Sequence, residues 1–335
     1  MLIAVKPFRL PDMKQSISHL NIHVFENKCF EYRPFSDGFR QIIMKSLFVV
    51  PVILISAFLL NGQEPADTVK YWKVSGKTSL NFSQVSLTNW SEGGDGSVSG
   101  AFLFGITANR LKGPHSWDNS FAFEYGMTKN NSESLRKSVD QIYLSSKYGY
   151  EIGKPWYLSA LFDFKTQSAK GFNFPNTDNY ISRFFAPAYM NFALGFDYKP
   201  NADFSLMLSP VSTKFTFVLD DYLASTGSFG VDPGSQFRAE FGAYLKMTYL
   251  KKSIVKNVDF QTRLDLFSNY LKNPQNIDVN WDVKFDMKIN EWLSANLGTT
   301  LKYDDDIKYK DSDGLVHGAR IQFKQFLGVG LSFKF

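Results

Sequence analysis

The chain has 335 residues, of which 16% are aromatic and 33 are Phe, at a mean hydropathy of −0.20. This slightly polar balance excludes a bundle of apolar transmembrane helices. Beyond residue 45, 30 Lys and Arg face 28 Asp and Glu, a net charge of +2, which gives no case for nucleic-acid binding. The single cysteine, Cys29, precedes that point, so the remainder predicts neither a disulfide framework nor thiol chemistry.

The first 70 residues differ from the rest of the chain. Residues 47–60, LFVVPVILISAFLL, are an apolar run shorter than the roughly 20 residues of a membrane-spanning helix. Lys45 precedes this run and the polar stretch NGQEPADT follows it, which predicts a cleaved signal peptide over 44–62, with a retained signal anchor as the alternative. We interpret 1–43 as a start-site artefact or a disordered extension, and 63–70 as a short periplasmic lead.

From residue 71 onward, apolar and polar residues alternate in long segments. The segment 276–289 alternates without a break from Ile277 to Ile289, so one face of a strand there is apolar and the other is charged. The segments are longer than the roughly 5–6 residues usual in soluble sheets. They suit strands that cross lipid at a tilt, and such a sheet must close because lipid offers no partner for its edges. No helix is predicted.

The sequence therefore predicts an all-β fold, a closed antiparallel transmembrane β-barrel of 12 strands in residues 71–335, with 10 or 14 strands as alternatives. Short turns at 151–154, 200–202 and 290–291 would lie on the periplasmic side. Long loops at 168–183, 218–235 and 305–317 would face outward, which predicts the cell outer membrane as the location. The predicted strands are 71–85, 96–110, 116–129, 136–150, 154–167, 184–199, 202–217, 236–251, 255–271, 276–289, 291–304 and 318–335.

The chain ends in GVGLSFKF, where Leu331, Phe333 and the terminal Phe335 share one face. This ending resembles the C-terminal recognition signal of outer-membrane proteins. The resemblance implies that the barrel-insertion machinery and outer-membrane lipid are partners of the chain.

Four stretches carry a more specific resemblance: 80–94 (LNFSQVSLTNWSEGG), 138–150 (SVDQIYLSSKYGY), 184–200 (FFAPAYMNFALGFDYKP) and 208–224 (LSPVSTKFTFVLDDYLA). Together they resemble a Bacteroidota family of outer-membrane barrels known only as a domain of unknown function. The resemblance spans roughly 71–335 and implies fold and location, without any activity, substrate or catalytic residue. The residues that match the family's most recognisable motif, whose role is unknown, are Asn89, Trp90, Gly93 and Gly94.

The sequence gives little support for catalysis, a cofactor or a metal. His115 and His317 are the two histidines beyond residue 70, and the strand pattern places them at opposite ends of the barrel. We therefore expect no enzyme, although a hydrolase at the outer rim, using His317 near Asp311 and Asp313, is a third hypothesis. The acidic loop 304–313 suits a hard cation, yet no Glu completes a calcium-loop pattern, so we expect no metal site.

Charged residues on the polar faces of three neighbouring predicted strands would project into the barrel. Their mixed signs favour a paired network over a selectivity ring of one sign. The leading functional hypothesis is a narrow passive channel for small polar solutes or ions. The alternative is a non-conducting adaptor that presents its outer loops, including Phe172, Phe174 and Tyr180, to a protein, lipopolysaccharide or glycan. The candidate lumen-lining residues are Arg238, Glu240, Lys246, Asp259, Arg263, Asp265, Asp282, Lys284 and Asp286.

Overall fold

The alternating segments fold as long strands in a computed structural model that describes residues 71–86, 96–130, 133–310 and 315–335. Within these ranges, 12 antiparallel strands form one closed barrel. Four shorter strands form two small hairpins, β6 (Gly171–Phe172) with β7 (Tyr180–Ser182) and β14 (Lys308–Lys310) with β15 (Val316–Ala319). The barrel strands are β1 (Trp72–Val85), β2 (Ser97–Lys112), β3 (His115–Asn130), β4 (Arg136–Gly153), β5 (Trp156–Thr166), β8 (Ala188–Tyr198), β9 (Phe204–Phe217), β10 (Phe237–Val255), β11 (Val258–Asn269), β12 (Ile277–Lys288), β13 (Leu293–Tyr303) and β16 (Gln322–Lys334).

The barrel closes where its first strand pairs with its last. Strands follow one another round the barrel in chain order, with the small hairpins set aside, and β1 pairs with β16 through registers such as Leu80 opposite Leu331. The terminal Phe335 extends this seam. Its N–H donates to the Gly76 carbonyl at 3.0 Å, and its carbonyl accepts from the Gly76 N–H at 2.7 Å. Closure leaves the barrel sheet without an open edge, as a sheet surrounded by lipid requires.

The two faces of the barrel are reversed relative to a soluble protein. On β5, Leu158 faces outward and is 52% exposed, whereas Asp163 on the same strand faces inward and is 5% exposed. On β8, Leu194 is 59% exposed and Asp197 is fully buried. Exposed leucines beside buried carboxylates are the arrangement expected of strands with lipid outside and a polar interior.

Aromatic side chains pair near both ends of the barrel. At the end with the short turns, the ring centroids of Trp72 and Trp117 lie 5.5 Å apart, and those of Trp156 and Tyr198 lie 5.0 Å apart. At the other end, Phe241 and Tyr270 lie 5.7 Å apart. Two aromatic rims separated by an apolar band correspond to the girdles of barrels that span a bilayer.

The predicted closed barrel of 12 strands is confirmed, with corrections near the outer loops. Residues 184–187 are not part of β8, because Pro187 has no N–H to donate to a strand ladder. Residues 318–319 belong to β15, so the last barrel strand begins only at Gln322. The predicted segments 1–43, 44–62 and 63–70 lie outside the described residues.

The expectation of no helix was wrong at one place. A helix α1 (Asp221–Ser225) follows β9, and the Asp220 carboxylate caps it by accepting the Leu223 N–H at 3.0 Å. A capping aspartate of this kind satisfies a backbone donor at the start of a helix. In the described parts of the chain, no helix is long and apolar enough to cross a membrane.

Candidate functional site in the barrel interior

The centre of the interior holds a buried ion pair that joins distant strands. Lys246 Nζ lies 2.6 Å and 2.7 Å from the two carboxylate oxygens of Asp163, and both side chains are less than a tenth exposed. The same ammonium donates to the Tyr143 hydroxyl at 2.9 Å and to Ser145 Oγ at 3.1 Å. Lys246 is on β10 and Asp163 on β5, with β8 and β9 between them. Such a pair can form only across the concave inside of the barrel.

A second group of charges on β11 and β12 reaches the opposite wall. Arg263 pairs with Asp282 and, at 3.3 Å, with Asp265. Its guanidinium lies 4.1 Å from the centroid of the Tyr143 ring on β4, which is a cation–π distance. Apolar side chains fill the space on the same side of the interior. They are Leu161, Ala193, Met207, Tyr244 and Phe267.

Lys214 lies at the centre of a third group near the outer mouth. Its ammonium is 2.5 Å from Asp278, 3.0 Å from Asp304 and 3.6 Å from Glu240. Arg238 pairs with Glu240 at 2.8 Å and with Asp306 at 3.0 Å. The acidic segment that follows β13 is thus tied by ion pairs to β9 and β10.

The side of the interior that lies opposite Asp163 is open to water. Lys284 lies in the middle of β12 and pairs with Glu124 of β3 at 2.6 Å, yet 45% of its side chain is exposed. Gly298, directly opposite Lys284 on β13, is open: a Cβ built there would meet no atom within 4 Å. At Gly105 on β2, a Cβ would meet only one backbone oxygen, at 4.0 Å. The side chains here leave room that they do not leave beside Asp163.

A cavity of about 220 Å³ lies at the end of the barrel with the short turns. Lys77, Asp286 and Lys334 are among the residues that line it. Lys77 pairs with Asp286 at 2.5 Å, and Lys334 pairs with Asp259 at 2.7 Å. Both pairs join strands that are not neighbours, so they too form inside the barrel.

All nine charged residues singled out from the sequence take part in these interior groups. The structure pairs opposite signs and shows no ring of one sign among them. The sequence analysis did not identify five of their partners, which are Lys77, Glu124, Asp163, Lys214 and Lys334. The same inward alternation marks these partners, but the prediction considered only the three strands that became β10, β11 and β12. The role of the nine as the lining of a conducting path stays a prediction.

The acidic loop uses its carboxylates in pairs. Asp305 accepts from Asn276 Nδ2 at 2.8 Å, and Asp306 pairs with Lys272 at 3.1 Å. Over the described residues, no group of three or more His, Cys, Asp or Glu is arranged to hold a metal ion. Asp311 and Asp313 lie outside those residues, so the proposed rim hydrolase and the cation site of the full loop are not tested.

The two histidines are at opposite ends of the barrel. His115 begins β3 beside a short turn, where its Nδ1 lies 2.6 Å from the Tyr148 hydroxyl. His317 lies in β15 of the outer hairpin. They cannot contribute to one site.

Two outer loops pack against each other at the outer end of the barrel. Ala186, Val218, Leu223, Ala224 and Val231 form a buried apolar cluster, against which Tyr180 and Phe229 pack. The Asp220 carboxylate accepts from the Tyr180 hydroxyl at 2.9 Å and from Arg183 Nη1 at 2.8 Å.

The electrostatics of Asp220 follow from these contacts. Burial acts to raise the pKa of Asp220, but the Leu223 N–H, Tyr180 and Arg183 outweigh that effect and hold the pKa below its ordinary value.

The other loop aromatics predicted as a recognition surface also make contacts within the chain. The ring centroids of Phe172 and Phe174 lie 6.1 Å apart, and the Arg136 guanidinium lies 4.6 Å from the centroid of the Phe174 ring.

The C-terminal residues Leu331, Phe333 and Phe335 are all about half exposed or more, on the outer face. Their reading by an insertion machinery stays a prediction. The motif residues Asn89, Trp90, Gly93 and Gly94 lie outside the described residues.

Comparison with known proteins agrees with the resemblance noted from the sequence. Residues 82–172 match the family model described as "Protein of unknown function (DUF3078)". The match contains the stretch 138–150 and most of 80–94, and it ends before 184–200. The resemblance to a domain of unknown function is thereby confirmed, while the Bacteroidota origin stays a prediction. No curated protein matches the chain.

Solved outer-membrane barrels resemble the chain at low identity. An outer-membrane channel from Pseudomonas putida F1 is 11% identical with a TM-score of 0.36, over 82% of this chain and 100% of that chain. The translocator domain of autotransporter NalP from Neisseria meningitidis is 9% identical with a TM-score of 0.34, over 88% and 98% of the two chains. The NanC porin is 8% identical with a TM-score of 0.34, over 77% and 98%. The closed barrel itself is established by the strand pairing within this chain.

Proposed function

We propose that the chain is an outer-membrane β-barrel that conducts small ions and polar solutes passively through a narrow path along one wall of its interior. The outer face supports the location, because leucines and phenylalanines are exposed between two aromatic rims. Such a surface is costly in water and favourable in lipid. The lipid of the membrane is then the first partner of the chain.

One observation carries the channel proposal: Lys284 faces inward at the middle of a barrel strand and is nevertheless 45% exposed. Water therefore reaches the centre of the barrel. The absence of a side chain at Gly298 and at Gly105 leaves further space in the interior. The cavity beside Lys77 and Lys334 would form the periplasmic entrance to this path.

The arrangement of charges suggests how such a path would select solutes. Barrels of about eight strands are filled by side chains, whereas those of 16–18 strands enclose wide water channels. This barrel of 12 strands is filled on the side of Asp163 and Lys246 and open on the side of Lys284. A solute would pass the Glu124–Lys284 pair, which crosses the open side. Width and charge beside that pair would set selectivity.

Cysteine modification tests the path directly. In Gly298→Cys, the new thiol would point into the open side, where a water-soluble, positively charged methanethiosulfonate reagent can reach it. We expect the reagent to reduce the single-channel conductance of the folded protein in a planar bilayer by more than half, because its added bulk narrows the path beside Lys284.

Gly318→Cys is the matched control. Gly318 is also surrounded by open space, but it lies in the outer hairpin of β14 and β15. Modification there should leave the conductance unchanged, and Cys29 is common to both variants. Unchanged conductance in modified Gly298→Cys, with modification verified by mass spectrometry, would place the conducting path elsewhere or remove it.

The adaptor hypothesis is supported by a different observation, the buried cluster that the two outer loops form around Leu223 and Val231. Loops with an apolar core of their own present a defined shape to a partner. A barrel that serves only as an adaptor would be electrically silent in a bilayer. Replacement of residues 221–233 by a short Gly-Ser linker would then abolish partner binding and leave the barrel folded.

A further inference from the structure

Three lysines inside the barrel have no carboxylate partner. The Lys165 ammonium is buried and makes no hydrogen bond. Over the described residues, Lys302 and Lys324 take part in no side-chain hydrogen bond and in no ion pair within 4.0 Å. Every other interior lysine discussed above pairs with an Asp or Glu. A buried ammonium without a partner is costly, so Lys165 calls for a compensating charge. Lys302 is half-buried and Lys324 is exposed, so their ammonium groups are free to reach a ligand.

The fold brings the three lysines to one part of the interior. Lys324 is opposite Thr300, and Lys302 is opposite Gln322, so Lys302 and Lys324 are diagonal neighbours on the inner faces of β13 and β16. Lys165 comes from β5, which is six strands from β13 in the barrel of 12 and so lies directly across it. Lys165 and Lys302 are each the last residue but one of their strands, and Lys324 is the third residue of β16, so all three lie toward the outer end of the barrel.

The carboxylates of this region are already taken by other cations. Asp282 and Asp265 bind Arg263, and Glu124 binds Lys284. Asp304, two residues after Lys302, is held by Lys214. Arg263, Lys284 and the three lysines therefore face Glu124, Asp265 and Asp282, which leaves an excess of two positive charges.

We propose that Lys165, Lys302 and Lys324 form a binding site for a small inorganic oxyanion with two negative charges, such as sulfate or phosphate. A dianion would balance the excess charge, and its oxygens would accept the hydrogen bonds that the three ammonium groups do not make within the chain. Lysine serves as a point-charge ligand for phosphate groups in many proteins. The open side of the barrel, at Gly298 and Lys284, would give the anion access from water.

Calorimetric titration of the folded full-length protein in a neutral detergent tests the site. Sodium sulfate would be titrated at constant ionic strength and compared with sodium chloride. We expect one sulfate per barrel, bound at least tenfold more tightly than chloride. Lys302→Met keeps the length of the side chain and removes its charge, so it should weaken sulfate binding at least tenfold, as should Lys324→Met.

Lys256→Met is the control, since Lys256 is exposed in the turn between β10 and β11. It should bind sulfate like the unaltered protein. Absence of sulfate binding to the unaltered folded barrel would overturn the site, whatever becomes of the variants. Equal affinity for sulfate in Lys302→Met, Lys324→Met and the control would overturn it as well.

A role of this site in transport rests on the proposed channel. Binding in detergent needs no conduction, so the two proposals fail separately. A barrel that binds sulfate but is silent in a bilayer would retain the anion site and lose the channel. A barrel that conducts but does not bind sulfate would support the channel and overturn the anion site.

Discussion

At the scale of single residues, the interior of the barrel depends on which charges have partners. Asp163 and Lys246 are both buried and hold each other, while Lys251 and Asp203 form a pair of similar length, 2.9 Å, on the exposed turn side. Removal of one member of a buried pair leaves the other charge buried without a partner, whereas loss of an exposed pair lowers the stability little. Lys246→Met should therefore lower the free energy of unfolding by about 3–5 kcal/mol. Urea unfolding of the barrel in lipid vesicles measures this change.

Lys251→Met is the matched control and should change the free energy of unfolding by at most about 1 kcal/mol. The double variant Asp163→Leu with Lys246→Met removes both charges and should recover much of the stability that Lys246→Met loses. Equal effects of Lys246→Met and Lys251→Met would contradict the buried pair across β10 and β5.

At the scale of elements, Asp220 joins the loop after β9 to the loop before β8 through Tyr180, Arg183 and the cap of α1. The pKa of Asp220 in the folded protein is below its unfolded value of about 3.9. The stability that this carboxylate gives to the loops is therefore fully present above about pH 4 and is lost as the pH falls through the folded pKa. Hydrogen exchange at the Leu223 and Ala224 amides, corrected for intrinsic rates, should show protection at pH 7 that falls in acid below pH 4.

Asp220→Asn removes the charge that Arg183 and the other donors favour. This variant should show weaker protection of the same two amides at pH 7 and little further loss in acid. Asp232→Asn, an exposed change in the same loop, should keep the pH dependence of the unaltered protein. A pH dependence that survives in Asp220→Asn would show that another group controls the loop.

At the scale of the whole molecule, the sequence predicts the strands of the barrel wall far better than the pairing of side chains inside it. Alternation along segments such as 276–289 is local information, and it places the strands and their inward faces correctly. The pairing of Lys246 with Asp163 depends on how far the strands are staggered when the sheet closes, and alternation does not specify that stagger. The same limit explains why Lys165 and Lys302, on opposite walls, could not be brought together from the sequence.

The loops show a second limit of the sequence pattern. Pro187 and the short helix α1 interrupt the alternation over only a few residues, which is too short a stretch for periodicity to identify. The mutual packing of Leu223, Val231 and Ala186 is a tertiary contact between two loops that each appear merely polar and glycine-rich in the sequence.

In the channel that we propose, one side of the interior is open to water from end to end, and single-channel recording of the folded protein in a planar bilayer tests this path. We expect discrete open steps. We also expect Lys284→Gln to shift the reversal potential toward cation preference, because Glu124 would be left without its partner, while Lys256→Gln leaves it unchanged. A silent bilayer, with the barrel shown to be folded and inserted, would contradict the proposed channel.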